Sequence, residues 1–263
     1  MRDVGLDRAI NAAGGVAQLA RKISISQPSV SNWSKIPARR VMAVEAATGV
    51  PRAELRPDLY PDQHHERTVA RDSIDPIDIA RAQEYDLLAA LLAAAPSKSL
   101  LDRLAGLSGD GTPLGQAHAS LAEAASHANA AQVEREYFDL FVGLGRGELL
   151  PYASYYLTGF LNERPLSRLR TDLAALGIAR AEGNSEPEDH AAILCEIMAG
   201  MADGRLEAPF VAQRALFDKH VSSWMGRLFA DMEHAASATF YRTVGTLGRL
   251  FIEIERRGFS FAK

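Results

Sequence analysis

Over its 263 residues this chain never alternates apolar and polar side chains for long enough to make a strand. Its apolar residues recur instead at three- and four-residue spacing between proline and glycine breaks. After residue 75 those breaks are Pro96, Gly109-Asp110-Gly111-Thr112-Pro113, Gly145-Arg146-Gly147, Pro165, Gly177, Gly183-Asn184 and Gly204. The spacing predicts helices near 76–95, 97–107, 113–127, 129–144, 153–162, 165–176, 187–202, 208–233 and 236–257. Leu87, Leu88, Leu91 and Leu92 make one buried stripe, and Leu216, His220, Trp224 and Leu228 another. Alanine and leucine dominate a composition that is 47% hydrophobic, which favours helices and suffices for a core. The reading is an all-α protein.

The first quarter follows the same rule on a smaller scale. Leu6, Ile10 and Ala13 form a short stripe ending at Gly14-Gly15; Val16, Leu19, Ala20 and Ile23 form the next. Ser26 is placed to cap a third helix with Pro28 in its first turn, where a missing N–H is harmless. A fourth helix begins near Pro37, runs through Val41, Val44 and Ala47, and stops at Gly49. Ala20 is small enough to let the next helix cross closely, Val30 plugs the interface, and Trp33 closes the core beneath. The pattern Gly-Gly, Gln-x-Leu-Ala, Ser-Gln, Val-Ser-x-Trp and a closing Leu55-Arg-Pro-Asp-Leu-Tyr-Pro61 resembles the Cro/YdaS-like helix-turn-helix family. One position departs from it: Ser24 stands where the turn usually has glycine, and a serine is strained at positive φ. The resemblance implies a DNA-reading head over residues 1–60. Gln27, Ser29, Ser31 and Asn32 would reach bases or backbone, and Lys35, Arg39 and Arg40 would lie near phosphates. A single head reads one half-site weakly, so a homodimer is expected.

Charge supports that division. Residues 1–60 hold nine basic and five acidic side chains, net +4, while the other 203 hold 20 and 28, net −8. A basic head suits a polyanion. Residues 61–75 are polar without a helical stripe and read as a linker to a body at 76–263. His64 and His65 within it point apart with no further ligand nearby, so no metal site is read there. Cys195 is the one cysteine, which rules out an internal disulfide, and it falls on a packed helical face with Ala192, Met198 and Ala199. No run approaches the roughly 20 apolar residues of a membrane span, and no segment of signal-peptide length opens the chain, so a cytoplasmic protein is expected.

The body carries no nucleophile elbow, no Gly-Lys-Ser/Thr phosphate loop, no Cys-x-x-Cys and no His-Glu-x-x-His, so neither an enzyme nor a bound cofactor is expected. Three strings remain: Glu134-Arg-Glu-Tyr-Phe-Asp-Leu-Phe-Val-Gly143 followed by Leu150-Pro-Tyr-Ala-Ser-Tyr-Tyr-Leu157; Glu186-Pro187-Glu188-Asp189-His190; and Phe217-Asp-Lys-His-Val-Ser-Ser-Trp224. Their order and spacing over roughly residues 80–255 resemble the TorD/DmsD family of cytoplasmic chaperones for molybdenum-containing redox enzymes. The resemblance implies an all-helical bundle with a non-enzymatic task. Such a protein binds the twin-arginine leader of an apo-molybdoenzyme, holds it from export and helps it receive its cofactor. Glu186, Glu188 and Asp189 would then meet the two arginines, with Pro187 and His190 in the same leader-binding stretch, and Tyr152, Tyr155, Tyr156 and Phe160 would line a groove for the leader's apolar stretch. The loop after the Leu-Phe-x-Gly helix departs from the family's proline-rich form, keeping only Pro151.

The same stretch also makes sense as a helix start. Ser185 and Glu188 have capping-box spacing, and first-turn acids suit the helix dipole. A tyrosine cluster serves a core as readily as a groove. The alternative for the whole chain is a transcription regulator whose helical body senses a ligand or dimerises, or a head that serves only as a protein-contact module.

Overall fold

Helix starts in this protein are written in short polar side chains. In the computed structural model, which describes residues 3–60, 74–180 and 186–261, Asp75 accepts from the Ile77 N–H at 2.8 Å and opens α6 (Pro76–Ala93). Ser97 accepts from Leu100 and opens α7 (Lys98–Leu104), and Thr112 accepts from Gly115 and opens α8 (Pro113–His127). Asn129 does the same for α9 (Ala130–Tyr137). Of the stretch read as a linker, residues 61–73 lie outside the described residues, and His64 and His65 with them; so do Gly183, Asn184 and Ser185.

The chain divides into two compact units, residues 1–73 and 74–263. The smaller packs α1 (Val4–Ala13), α2 (Val16–Lys22), α3 (Gln27–Ser31), α4 (Val41–Thr48) and α5 (Arg52–Leu55) around its own core. Ala20 and Val30 are buried at the α2–α3 crossing, and Trp33 packs half-buried against that core. Ser24, between α2 and α3, sits at φ +56°, the left-handed conformation its position demands. α4 is preceded by a 3-10 turn at Ala38–Arg40 and ends at Gly49. Gly5 is required for another reason: a Cβ there would stand 2.1 Å from the Leu55 carbonyl oxygen, so α1 and α5 touch backbone to backbone.

The larger unit continues with α10 (Ala153–Thr158), α11 (Arg164–Ala175), α12 (Ala191–Ala202), α13 (Phe210–Leu216), α14 (Met225–His234) and α15 (Phe240–Phe261). α12 lies along α6, α14 lies along α15, and α15 also meets α8. Their buried faces merge into one core in which Trp224, Tyr85, Tyr241, Phe217 and Phe229 are sealed. Each such side chain contributes about 1.5–3 kcal/mol of burial. α14 and α15 cross so closely that a Cβ at Gly248 would lie 2.4 Å from the Phe229 ring. Cys195 is packed inside against Met225, and burial pushes its thiol pKa up, away from reactivity. Apart from one isolated bridge between Tyr152 and His190, the described residues form no β-structure, and none of their helices is long and apolar enough to cross a membrane.

Two expected helices differ from the single cylinders their spacing suggests. The span expected at 208–233 is α13, a π-helical turn at Phe217–Val221, a break at 222–224, and α14. The span expected at 129–144 is α9 followed by a second π-helical turn at Phe138–Val142. A π turn adds a residue without stopping the helix, so the apolar period runs on through it.

Candidate peptide-binding site

The first two strings meet where residues 151–153 run antiparallel to 189–191. The Ala191 N–H donates to the Pro151 carbonyl at 2.8 Å, and the Ala153 N–H donates to the Asp189 carbonyl at 3.0 Å. This bridge sets Tyr152 beside His190, their rings edge to face at 5.0 Å. Tyr152 OH donates to Glu186 Oε2 at 2.7 Å, and burial together with that carboxylate raises the phenol pKa, which keeps it a donor. Tyr156 OH donates to Asp231 at 2.9 Å while its ring packs on Trp224 at 5.5 Å. Tyr155 is half-buried, its oxygen accepting from Arg146, whose guanidinium also lies over the ring. Arg170, in α11, holds Glu188 at 2.8 Å; burial works against the carboxylate, but this partner prevails and lowers its pKa.

Asp189 and His190 are not the open groups that a role in meeting arginines calls for. Asp189 is 1% exposed and His190 8%. The Asp189 carboxylate accepts the Ser154 N–H and so caps α10, and His190 Nδ1 accepts from Ala192 and caps α12. The helix expected to open at 187 therefore opens at Ala191, and Glu186–Asp189 form the turn before it. Pro187 belongs to that turn, its carbonyl accepting from His190 at 3.0 Å. The acidic side chains that reach solvent are Glu186 and, in part, Glu188. Asp189 Oδ1 and Ser154 Oγ are buried without a hydrogen-bond partner among the described residues.

Beside α10 a cavity of about 470 Å³ opens, lined by Ala153, Leu157, Pro165 and Leu169 together with Arg168, Lys219 and His220. The π turn at Phe217–Val221 delivers the third string here. His220 Nε2 lies 2.7 Å from Asp172 and Lys219 Nζ 3.2 Å from the same oxygen; the His220 contact, foremost, lowers the Asp172 carboxyl pKa. Leu157, in that lining, and Phe160 and Leu161, which follow it in the chain, are exposed apolar side chains, Phe160 being 70% exposed. α10 thus carries the acid-side tyrosine at its start and an apolar groove along its flank. Arg168, Arg170 and Asp231 escape a reading of the local strings, because each is brought in from a segment outside them.

In the smaller unit Gln27, Ser29, Ser31 and Asn32 are all exposed on and just after α3. Ser26 caps no N–H there; its hydroxyl pairs instead with that of Ser29 at 2.7 Å. Lys35 reaches Asp3 at 3.7 Å, Arg39 is exposed and Arg40 half-buried. Arg21 and Lys22, exposed at the end of α2, extend the basic surface beyond the residues singled out in the sequence.

Comparison with known proteins finds a family match within each unit. Residues 108–230 match the nitrate reductase delta subunit family, and residues 6–64 match the bacterial toxin YdaS family. The chain therefore joins a TorD-like helical domain to a Cro-like helix-turn-helix domain. Chaperone protein TorD of Vibrio cholerae is 28% identical over 134 residues, covering 48% of this chain and 61% of that protein. Chaperone protein TorD of Vibrio parahaemolyticus is 27% identical over 139 residues, covering 48% and 65%. The chain thus spans less than two thirds of the curated relatives it matches. A solved chain described as a redox enzyme maturation protein, from Archaeoglobus fulgidus, aligns with 65% of this chain and 93% of its own at 20% identity and a TM-score of 0.40.

Proposed function

We propose that the body is a maturation chaperone. It binds the twin-arginine leader of an apo-molybdoenzyme in the cytoplasm and assists cofactor loading before export, without catalysing a reaction itself. The observation that carries this reading is the two-sided character of α10: Tyr152 with Glu186 at its start, the apolar groove along its flank. A leader that presents two guanidiniums and then an apolar stretch has the complementary order. Glu188 already holds a guanidinium, that of Arg170, and an incoming arginine exchanges with it. Glu186, Glu188, Tyr152 and Tyr155 make the contacts. Asp189, His190 and Pro187 hold the turn in shape, and Tyr156 fixes α10 against Trp224. The test is calorimetric titration of a synthetic twin-arginine leader into the full chain. Binding at about 10 µM or tighter is expected, with about a tenfold loss on Glu186→Gln or on replacing the peptide's arginine pair by glutamine. Absence of heat with every leader tried, or indifference to the arginine pair, defeats the proposal.

For the head we infer DNA binding as a homodimer, with Gln27, Ser29, Ser31 and Asn32 at the bases and Lys35, Arg39 and Arg40 at phosphates. Its support is the exposed polar face of α3 beside a basic surface. A gel shift on upstream DNA at increasing salt is the measurement. Affinity falling steeply with salt, and lowered by Gln27→Ala with Asn32→Ala, supports it; no shift at low salt leaves the head a protein-contact module.

A further inference from the structure

A second basin lies between the 222–224 break, the start of α14 and the last turns of α15. It encloses about 390 Å³, within the range of small-molecule sites, and four arginines line it: Arg227, Arg249, Arg256 and Arg257. Two of them are neutralised. Glu233 takes Arg249 in a two-pronged pair at 2.9 and 3.1 Å, and Glu253 takes Arg257 one turn away. The other two are not. Arg227 spends one nitrogen on the Tyr156 carbonyl at 2.8 Å and Arg256 one on the Ser222 carbonyl at 2.7 Å, and neither has a carboxylate partner among the described residues. Arg256 is held close to the α14 start, its Nη2 3.9 Å from where a Gly226 Cβ would be.

The charge balance is out of keeping with the body. Outside the first 60 residues the chain carries eight more acidic than basic side chains, yet here four guanidiniums share one concavity whose lining holds a single carboxylate, that of Glu253, already paired with Arg257. Like charges so gathered repel, and an anion entering between them removes the repulsion. The planar guanidinium fork matches the oxygens of a phosphate. Ser222, Ser223 and Gly226 are small and leave space, and Trp224 is sealed in the core and offers no face for stacking. We propose that this basin binds the phosphate end of a small molecule carrying about two negative charges. The proposal does not depend on the peptide site, although Arg227 touches Tyr156 and so adjoins it.

Pyrophosphate titrated into the full chain is the first probe, followed by inorganic phosphate and a nucleoside diphosphate. Saturable pyrophosphate binding at about 1 mM or tighter, weakening as salt rises, is expected. Arg227→Gln and Arg256→Gln should each weaken it about tenfold, and Arg256→Lys, which keeps the charge, should weaken it less. Arg257, with a side chain 71% exposed, carries little of the fold, so Arg257→Gln supplies a variant whose melt stays unchanged. It should weaken pyrophosphate about threefold. Equal affinity for pyrophosphate and the nucleoside diphosphate means that the site reads phosphates alone; tighter nucleotide binding adds contacts beyond them. Either supports the proposal. No saturable binding overturns it, as does binding that survives the Arg227→Gln/Arg256→Gln double variant but is lost with Arg39→Gln/Arg40→Gln in the basic head.

Discussion

The backbone N–H of Ser154 donates to the Asp189 carboxylate at 2.7 Å, a buried bond across 35 positions of chain. Asp189 therefore acts as the cap of a helix to which it does not belong, and the second string holds the first in place. Asp189→Ala should leave the Ser154 N–H buried without a partner and lower stability by about 1–3 kcal/mol in urea unfolding. Glu186→Gln, at an exposed position, should leave the unfolding midpoint within about 0.5 kcal/mol while weakening the leader peptide. Were Asp189→Ala to bind weakly yet unfold like the parent, the carboxylate would be a direct contact and the capping role wrong.

How far such a partnership is legible in sequence depends on how far apart its members lie. Ala20, Val30 and Ser24 are read from ten residues of chain, and the crossing and the positive φ agree with that reading. The one core of the body and the placement of its breaks come from period and from proline and glycine. Glu186–His190 carries every local mark of a helix start, but Asp189 is drawn off by α10 and His190 takes the cap one step later. The stripe Leu216, His220, Trp224 and Leu228 is buried throughout although no single helix bears it, because the π turn shifts the register before the chain breaks. The local pattern tells which side chains go inside; the partners of buried polar groups come from elsewhere in the chain.

Two histidines should titrate against each other in stability. The hydrogen bond that His118 donates to the Glu84 carboxylate raises the His118 pKa above 6.5, so its contribution is complete below pH 6.5 and is lost as pH rises through the raised value. Burial lowers the His190 pKa below 6.5, and protonation of Nδ1 would end its acceptance from Ala192. Its contribution is complete above pH 6.5 and is lost as pH falls through the lowered value. Urea midpoints across pH should show His118→Gln costing most on the acid side. His190→Asn, which caps without titrating, should flatten the acid-side loss. Curves parallel to the parent at every pH would remove both assignments.

The head has two glycine-sensitive positions with opposite signs. Gly5→Ala forces a methyl into the Leu55 carbonyl and should cost about 1–3 kcal/mol or more. Ser24→Gly relieves a left-handed serine and should gain up to about 1 kcal/mol. Trp33 lies in the head and Trp224 in the body, so the Trp33 indole resonance followed in the full chain during denaturation reports on the head alone. A Gly5→Ala head as stable as the parent would mean that α1 and α5 do not approach as described.

The deepest charge pair joins the start of α6 to the end of α15. Arg81 meets both oxygens of Glu255 at 2.7 and 2.8 Å, Tyr85 OH donates to the same carboxylate at 2.9 Å, and the guanidinium also reaches Asp78 and lies over the Phe259 ring. Glu255 is buried, so removing it leaves the arginine in a poorly hydrated site with Asp78 as its one remaining carboxylate partner among the described residues. Glu255→Ala should cost about 3–5 kcal/mol, and Arg81→Met with Glu255→Leu should recover most of that, since an apolar pair of similar volume avoids desolvating two charges. A double-mutant cycle in urea measures the coupling directly. A Glu255→Ala cost below about 1 kcal/mol would place the pair among solvent-screened surface bridges, and α15 would then be held by its apolar face alone.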